Sequence, residues 1–125
     1  MNKLIMFLGL LLVVPFAYGG VFSWGCLYNS TASSKGLSDI SANPFKLEFK
    51  LDTVTKKAFV VGNNGLSEVQ YWSGDKGITF LESLTSGGMQ TTVISDKGQS
   101  VHSRGTIIVN LVPSQYYGVC KVTSD

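Results

Sequence analysis

The sequence holds one histidine, His102, in the run Ser100-Val101-His102-Ser103-Arg104. An imidazole close to a hydroxyl is the minimal equipment of a nucleophile and its general base. With Ser100 or Ser103 as the nucleophile, this run would describe a small hydrolase. Two features speak against it. Neighbouring residues in a strand point to opposite sides, and no nucleophile elbow of the Gly-x-Ser-x-Gly kind is present. The plainer reading is a polar strand face, with His102, Arg104 and Thr106 sharing a parity opposite Val101 and Ile107.

Carboxylates offer a second chemistry. Glu48, Glu68 and Glu82 could supply the pair that glycoside hydrolysis needs. Each falls in a different expected strand, so spacing says nothing about their separation. Glu82 stands out because it shares a parity with Ile78, Phe80 and Leu84. A carboxylate on an apolar face either pairs with a cation, such as Arg104, or has its pKa raised.

Aromatic residues offer a third. Trp24, Tyr71, Trp72, Tyr116 and Tyr117 could line the mouth of a barrel and hold a lipid or a sugar, or they are simply core. The candidate ligand contacts are therefore Trp72, Glu82, His102, Arg104 and Tyr116, with no residue assigned a catalytic role. No metal site is expected, since only His102 could join the two cysteines. Gly62-Asn63-Asn64-Gly65 lacks the Gly-Lys-Ser/Thr of a phosphate loop, so no cofactor is expected either.

These residues must be positioned by an exported domain. Lys3 precedes the uncharged apolar run Leu4–Val14, then Pro15 and the small-x-small site Ala17-Tyr18-Gly19. This is the pattern of a signal peptide cleaved after Gly19, and the run is too short for a membrane span. Residues 20–125 then form a single domain with no span of their own. Nine Lys and Arg against eight Asp and Glu in that part leave a net charge of +1. Without a basic stripe, nucleic acid is not an expected partner. Cys26 and Cys120, alone in an oxidising compartment, predict one disulfide.

The organising stretch is Phe45-Lys46-Leu47-Glu48-Phe49-Lys50-Leu51-Asp52, where apolar and charged residues alternate without a break. Period two puts Phe45, Leu47, Phe49 and Leu51 on one face. Further strands are expected at Val21–Tyr28, Ala58–Val61, Ser67–Trp72, Ile78–Thr85, Met89–Ser95, Gln99–Val109 and Ser114–Val122. A bulge is expected at Gly105 and a break or edge at Pro113. Residues 29–43, poor in apolar side chains, are expected to be an irregular loop.

About seven or eight short strands joined by Gly/Asn/Asp turns predict an all-β, antiparallel up-and-down meander. A disulfide between its first and last strands implies a closed or half-open barrel of the lipocalin-like kind, or alternatively a two-sheet β-sandwich.

Val61-Gly62-Asn63-Asn64-Gly65, Gly77-Ile78-Thr79-Phe80-Leu81-Glu82, Ser100-Val101-His102-Ser103-Arg104 and Val112-Pro113-Ser114-Gln115-Tyr116-Tyr117-Gly118-Val119-Cys120 together resemble a loose group of short exported bacterial β-sheet proteins of uncharacterised function. The resemblance covers roughly residues 45–120. It implies a Gram-negative source and export to the periplasm or beyond, and carries no site residue with it.

The expected function is a non-catalytic binding module for a small apolar ligand or an envelope partner. Such a module predicts a cavity above about 300 Å3. One alternative is a small hydrolase-type enzyme using Glu82, His102 and Arg104, which requires those three to share a cleft. Another is a structural or interaction protein of the envelope, which requires an exposed apolar patch.

Overall fold

A computed structural model describes residues 20–62 and 65–124. Residues 1–19, where a signal peptide is expected, and Asn63, Asn64 and Asp125 lie outside the described residues. The chain forms nine strands: β1 (Val21–Ser33), β2 (Gly36–Asp39), β3 (Phe45–Asp52), β4 (Lys57–Gly62), β5 (Gly65–Ser73), β6 (Gly77–Ser83), β7 (Met89–Ser95), β8 (Gln99–Ile107) and β9 (Leu111–Ser124). No helix is present among the described residues, so none crosses a membrane as a helix.

Every pairing is antiparallel and joins strands consecutive in the chain, except that β1 pairs with β3, past β2, and also with β9. β1 and β3–β9 thus each have a neighbour on both sides, and eight strands close into a barrel. The sandwich alternative gives way, because no break in pairing separates two sheets. Closure leaves no free sheet edge around the barrel.

The alternating stretch behaves as its pattern dictates. Leu47, Phe49 and Leu51 are buried inside the barrel, and Phe45 packs against the same core. Phe49 stacks on Phe80 with ring centroids 4.5 Å apart, and Trp24 meets Phe80 edge-on at 5.5 Å. Ala58, Val60, Val69, Ile78 and Ile94 fill the space around these rings.

The closing seam runs from Phe22↔Ser124 to Ser33↔Ser114. Cys26 and Cys120 face each other directly across it and form the predicted disulfide, with Cα atoms 4.0 Å apart and a sequence separation of 94. In the chain-entropy view, tying so long a loop restricts the unfolded chain by about 4–5 kcal/mol.

Two sequence expectations need correction. Residues 29–43 are not all irregular: β1 continues to Ser33, and β2 folds back on it at Ser30↔Asp39 through Ser33↔Gly36. All four β2 residues are exposed. β2 lies outside the barrel wall, so it has no buried face to impose an apolar alternation. Gly105 stays in continuous register; the shift falls instead between Tyr28 and Ser30, and this bulge lets both Tyr28 and Thr31 take inward positions. Pro113, expected at a break or an edge, lies at an edge: within β9 it pairs with Gly105 on one side only. It sits beyond the end of the β1 ladder, where β9 has an unpaired outer edge that tolerates proline.

Gly118 is the tightest point of the seam. It lies between Ser100 of β8 and Tyr28 of β1. A Cβ there would stand 2.7 Å from the Tyr28 Cα and closer still to the Leu27 carbonyl. The obstacle is backbone, which cannot rotate away. Gly118→Ala is expected to cost about 2–3 kcal/mol of stability in denaturant unfolding. Gly25→Ala, on the same seam but with open space around its Cβ, is expected to be neutral or slightly stabilising. Equal effects for the two would contradict the close approach.

Candidate functional site

The register sorts inward side chains into rows across β6–β9. One row is Ile78, Ile94, Ser100 and Gly118; the next is Phe80, Thr92, His102 and Tyr116; the last is Glu82, Gln90 and Arg104. Moving along the barrel axis, the interior changes from apolar to polar and ionisable. The polar end is the one where β4 turns into β5 and β6 into β7.

His102 is therefore not on an outer polar face. It is 2% exposed, inside the barrel. The parity shared by His102 and Arg104 is the inner one, and the apolar Val93, Val101 and Val119 of these strands point outward. A polar half-interior reverses the usual inside-apolar rule, which is what made the sequence misleading here.

Around His102 the packing is aromatic. Its ring centroid lies 5.6 Å from Phe45, 6.0 Å from Tyr28 and 6.0 Å from Tyr116. Phe45 and Tyr116 are 4.6 Å apart. The fully buried Tyr28 shares a hydrogen bond with Ser100 at 2.9 Å. Burial raises the Tyr28 pKa, and the Ser100 bond partly opposes that. His102 Nδ1 and the Thr92 hydroxyl are 2.7 Å apart. His102 Nε2 and Arg104 Nε are both buried without a hydrogen-bond partner among the described residues.

A cavity of about 210 Å3 lies beside this cluster. Phe45, Leu47, Phe49, Val60 and Val69 form its apolar wall. Glu82, Gln90, Thr92, His102 and Arg104 form the other. It is smaller than the ~300 Å3 at which ordinary ligand pockets begin. The opposite end of the barrel has a larger concavity of about 580 Å3 over Trp24, Ile78 and Ile94. That one is an open dish, and none of the partnerless buried nitrogens lies in it.

Of the sequence candidates, Glu82, His102 and Arg104 come together in this partly open cavity, and Tyr116 packs against His102 from behind. Trp72 does not join them: it is 57% exposed on the outer surface, one residue out of phase with the inward Tyr71. Glu82 and Arg104 share a row but make no ion pair within 4 Å; among the described residues the one recorded is Lys50–Glu48 at 3.8 Å, on the outside. Thr92, Gln90 and Tyr28 were not singled out by sequence. Thr92 follows an equivalent Thr91, so its parity shows only once the β6–β7 turn length is known.

For catalysis, the cluster offers a hydroxyl–imidazole pair in Thr92 and His102. Ser100 is engaged by Tyr28, and Ser103 is bonded to Gln115 at 3.3 Å. No carboxylate orients the second imidazole nitrogen. Burial, followed by repulsion from Arg104, lowers the His102 pKa to about 4. Such a ring is neutral at pH 7 and a weak base.

This shift has a thermodynamic consequence. The unfolded chain protonates His102 near its ordinary 6.5, the folded chain only near 4. Below pH 6.5 the unfolded state therefore binds more protons, and folding stability falls as pH drops to about 4. At 1.36 kcal/mol per pH unit the loss amounts to about 3 kcal/mol. Urea unfolding across pH 4–8 should show this slope in the native protein. His102→Gln should remove that component, and identical pH profiles for the two would contradict it.

Comparison of the chain with protein-family models, with curated proteins and with solved structures finds no match.

Proposed function

We propose that the protein is an exported binding module that takes a small, largely apolar molecule into the partly open cavity at the polar end of its barrel. The observation that carries this reading is the cavity itself: a preformed space of about 210 Å3 with one apolar wall and two partnerless buried nitrogens on the other. A packed protein interior leaves few voids larger than a water molecule, and buried polar groups are normally satisfied. An engineered cavity of about 150 Å3 accommodates benzene. The volume here suits a ligand somewhat larger than that. The disulfide is compatible with an oxidising compartment. Export to the periplasm or the exterior fits it and the apolar N-terminal run, and the likeness to short exported bacterial proteins belongs to the same proposal.

Toluene is a direct probe of the space. Added to the oxidised protein, it should shift the methyl NMR signals of Leu47, Val60 and Val69 while leaving those of the outward Val93 and Val119 unmoved. Val69→Phe, which fills the cavity, should abolish the shifts. Absence of any shift in the native protein at millimolar toluene would remove the reading.

A second reading, attachment to an envelope partner, is favoured by one feature. The β8–β9 hairpin ends in a charge-free tip where Ile108 is 80%, Val109 88% and Leu111 65% exposed. If this tip mediates attachment, Ile108→Asp with Val109→Asp should move the protein from the envelope fraction to the soluble exported fraction on sedimentation. An unchanged distribution would count against it.

A further inference from the structure

The cavity has a polar end, and its chemistry narrows the ligand further. We infer that the cavity binds a small monocarboxylate, its aryl or short alkyl body against Phe45, Phe49 and Val60 and its carboxylate against Arg104 and His102. This deepens the proposal that the cavity binds a small apolar molecule, and rests on it.

Arg104 decides the sign. A guanidinium is always protonated and has five donors and no acceptor. Among the described residues its buried Nε has no partner, and no carboxylate lies within ion-pair distance of the side chain. Leaving a buried donor unmatched costs about 1–3 kcal/mol. An acceptor arriving from outside recovers that, and an anionic one gains the charge-assisted, often bidentate geometry for which arginine is suited.

His102 can supply the neighbouring contact. When the Thr92 hydroxyl donates to Nδ1, the imidazole proton sits on Nε2, and the ring offers a neutral N–H donor. Two donors from adjacent inner positions of β8 would then face the same small space. A carboxylate, with two oxygens and about four lone-pair sites, satisfies both.

The rest of the lining sets the limits. Gln90, between Glu82 and Arg104 in the last row, can donate its amide to the same oxygens. Glu82 carries the opposite charge and lies two strands from Arg104. An ammonium ligand would seek Glu82 instead, so the two polarities are distinguishable by experiment. The small volume favours bodies near the size of a phenyl ring.

Phenylacetate, phenylacetamide and 2-phenylethylamine share one body and differ in the head group. Titration calorimetry of the oxidised full chain with each, and with toluene, tests the inference. Phenylacetate should bind at least tenfold more tightly than the amide, and the amine should bind most weakly. Arg104→Met should reduce phenylacetate to the level of the amide while toluene binding persists. Arg104→Lys, which retains the charge, should keep part of the preference. Toluene binding with no preference among the heads, or with the amine preferred, overturns the carboxylate assignment and leaves the apolar cavity standing. No binding of any of the four overturns both. Because the native protein alone gives the ranking, a variant that failed to fold would not protect the inference.

Discussion

The interaction on which everything else depends is the ladder between β1 and β9. These strands lie at opposite ends of the described chain, so joining them carries the full entropy cost of closing a very long loop. Without that ladder, β1 and β9 would be the raw edges of a curled sheet, open to pairing with other chains. With it, all eight barrel strands have two neighbours, and the inner face is sealed from solvent along its sides. The Cys26–Cys120 bridge sits in the middle of this seam rather than at its rim. It thus limits the unfolded ensemble at the one join whose residues are farthest apart in sequence.

Closure also creates the polar pocket. His102, Arg104, Glu82 and Gln90 would be unremarkable on an open sheet, where water would solvate them. Inside a closed barrel they lose that water and must find partners within a space a few side chains wide. Aromatic rings from both sides of the seam, Tyr28 and Tyr116, pack against His102 and hold it away from solvent. The depressed pKa of His102 and the partnerless nitrogens both follow from this confinement. The apolar half of the interior supplies stability, while the polar half gives some of it up by holding His102 Nε2 and Arg104 Nε away from water without partners among the described residues.

Much of the fold was legible because its signals are local. Phe45–Asp52 alternates without interruption, and Met89–Ser95 is bounded by glycine-containing turns on both sides; both strands fall where the pattern puts them. The disulfide was legible by counting. What could not be read were features fixed by long-range register. β2 has no buried face and so no periodicity. The inward direction of His102 depended on which parity of β8 faced the core, and the outward valines pointed to the wrong answer. The convergence of Glu82, His102 and Arg104 needed the lengths of two turns, β6–β7 and β7–β8. Trp72 attracted notice as a large aromatic, yet its neighbour Tyr71 holds the inward position.

Amide hydrogen exchange of the oxidised protein, read residue by residue, measures the seam most directly. A closed barrel predicts that the paired amides of residues 22–28 and 118–123 exchange as slowly as those of β6 and β7, through global unfolding alone. Rapid exchange confined to β1 and β9, as at a fraying sheet edge, would show that the two strands do not meet, and would contradict the cavity along with the seam.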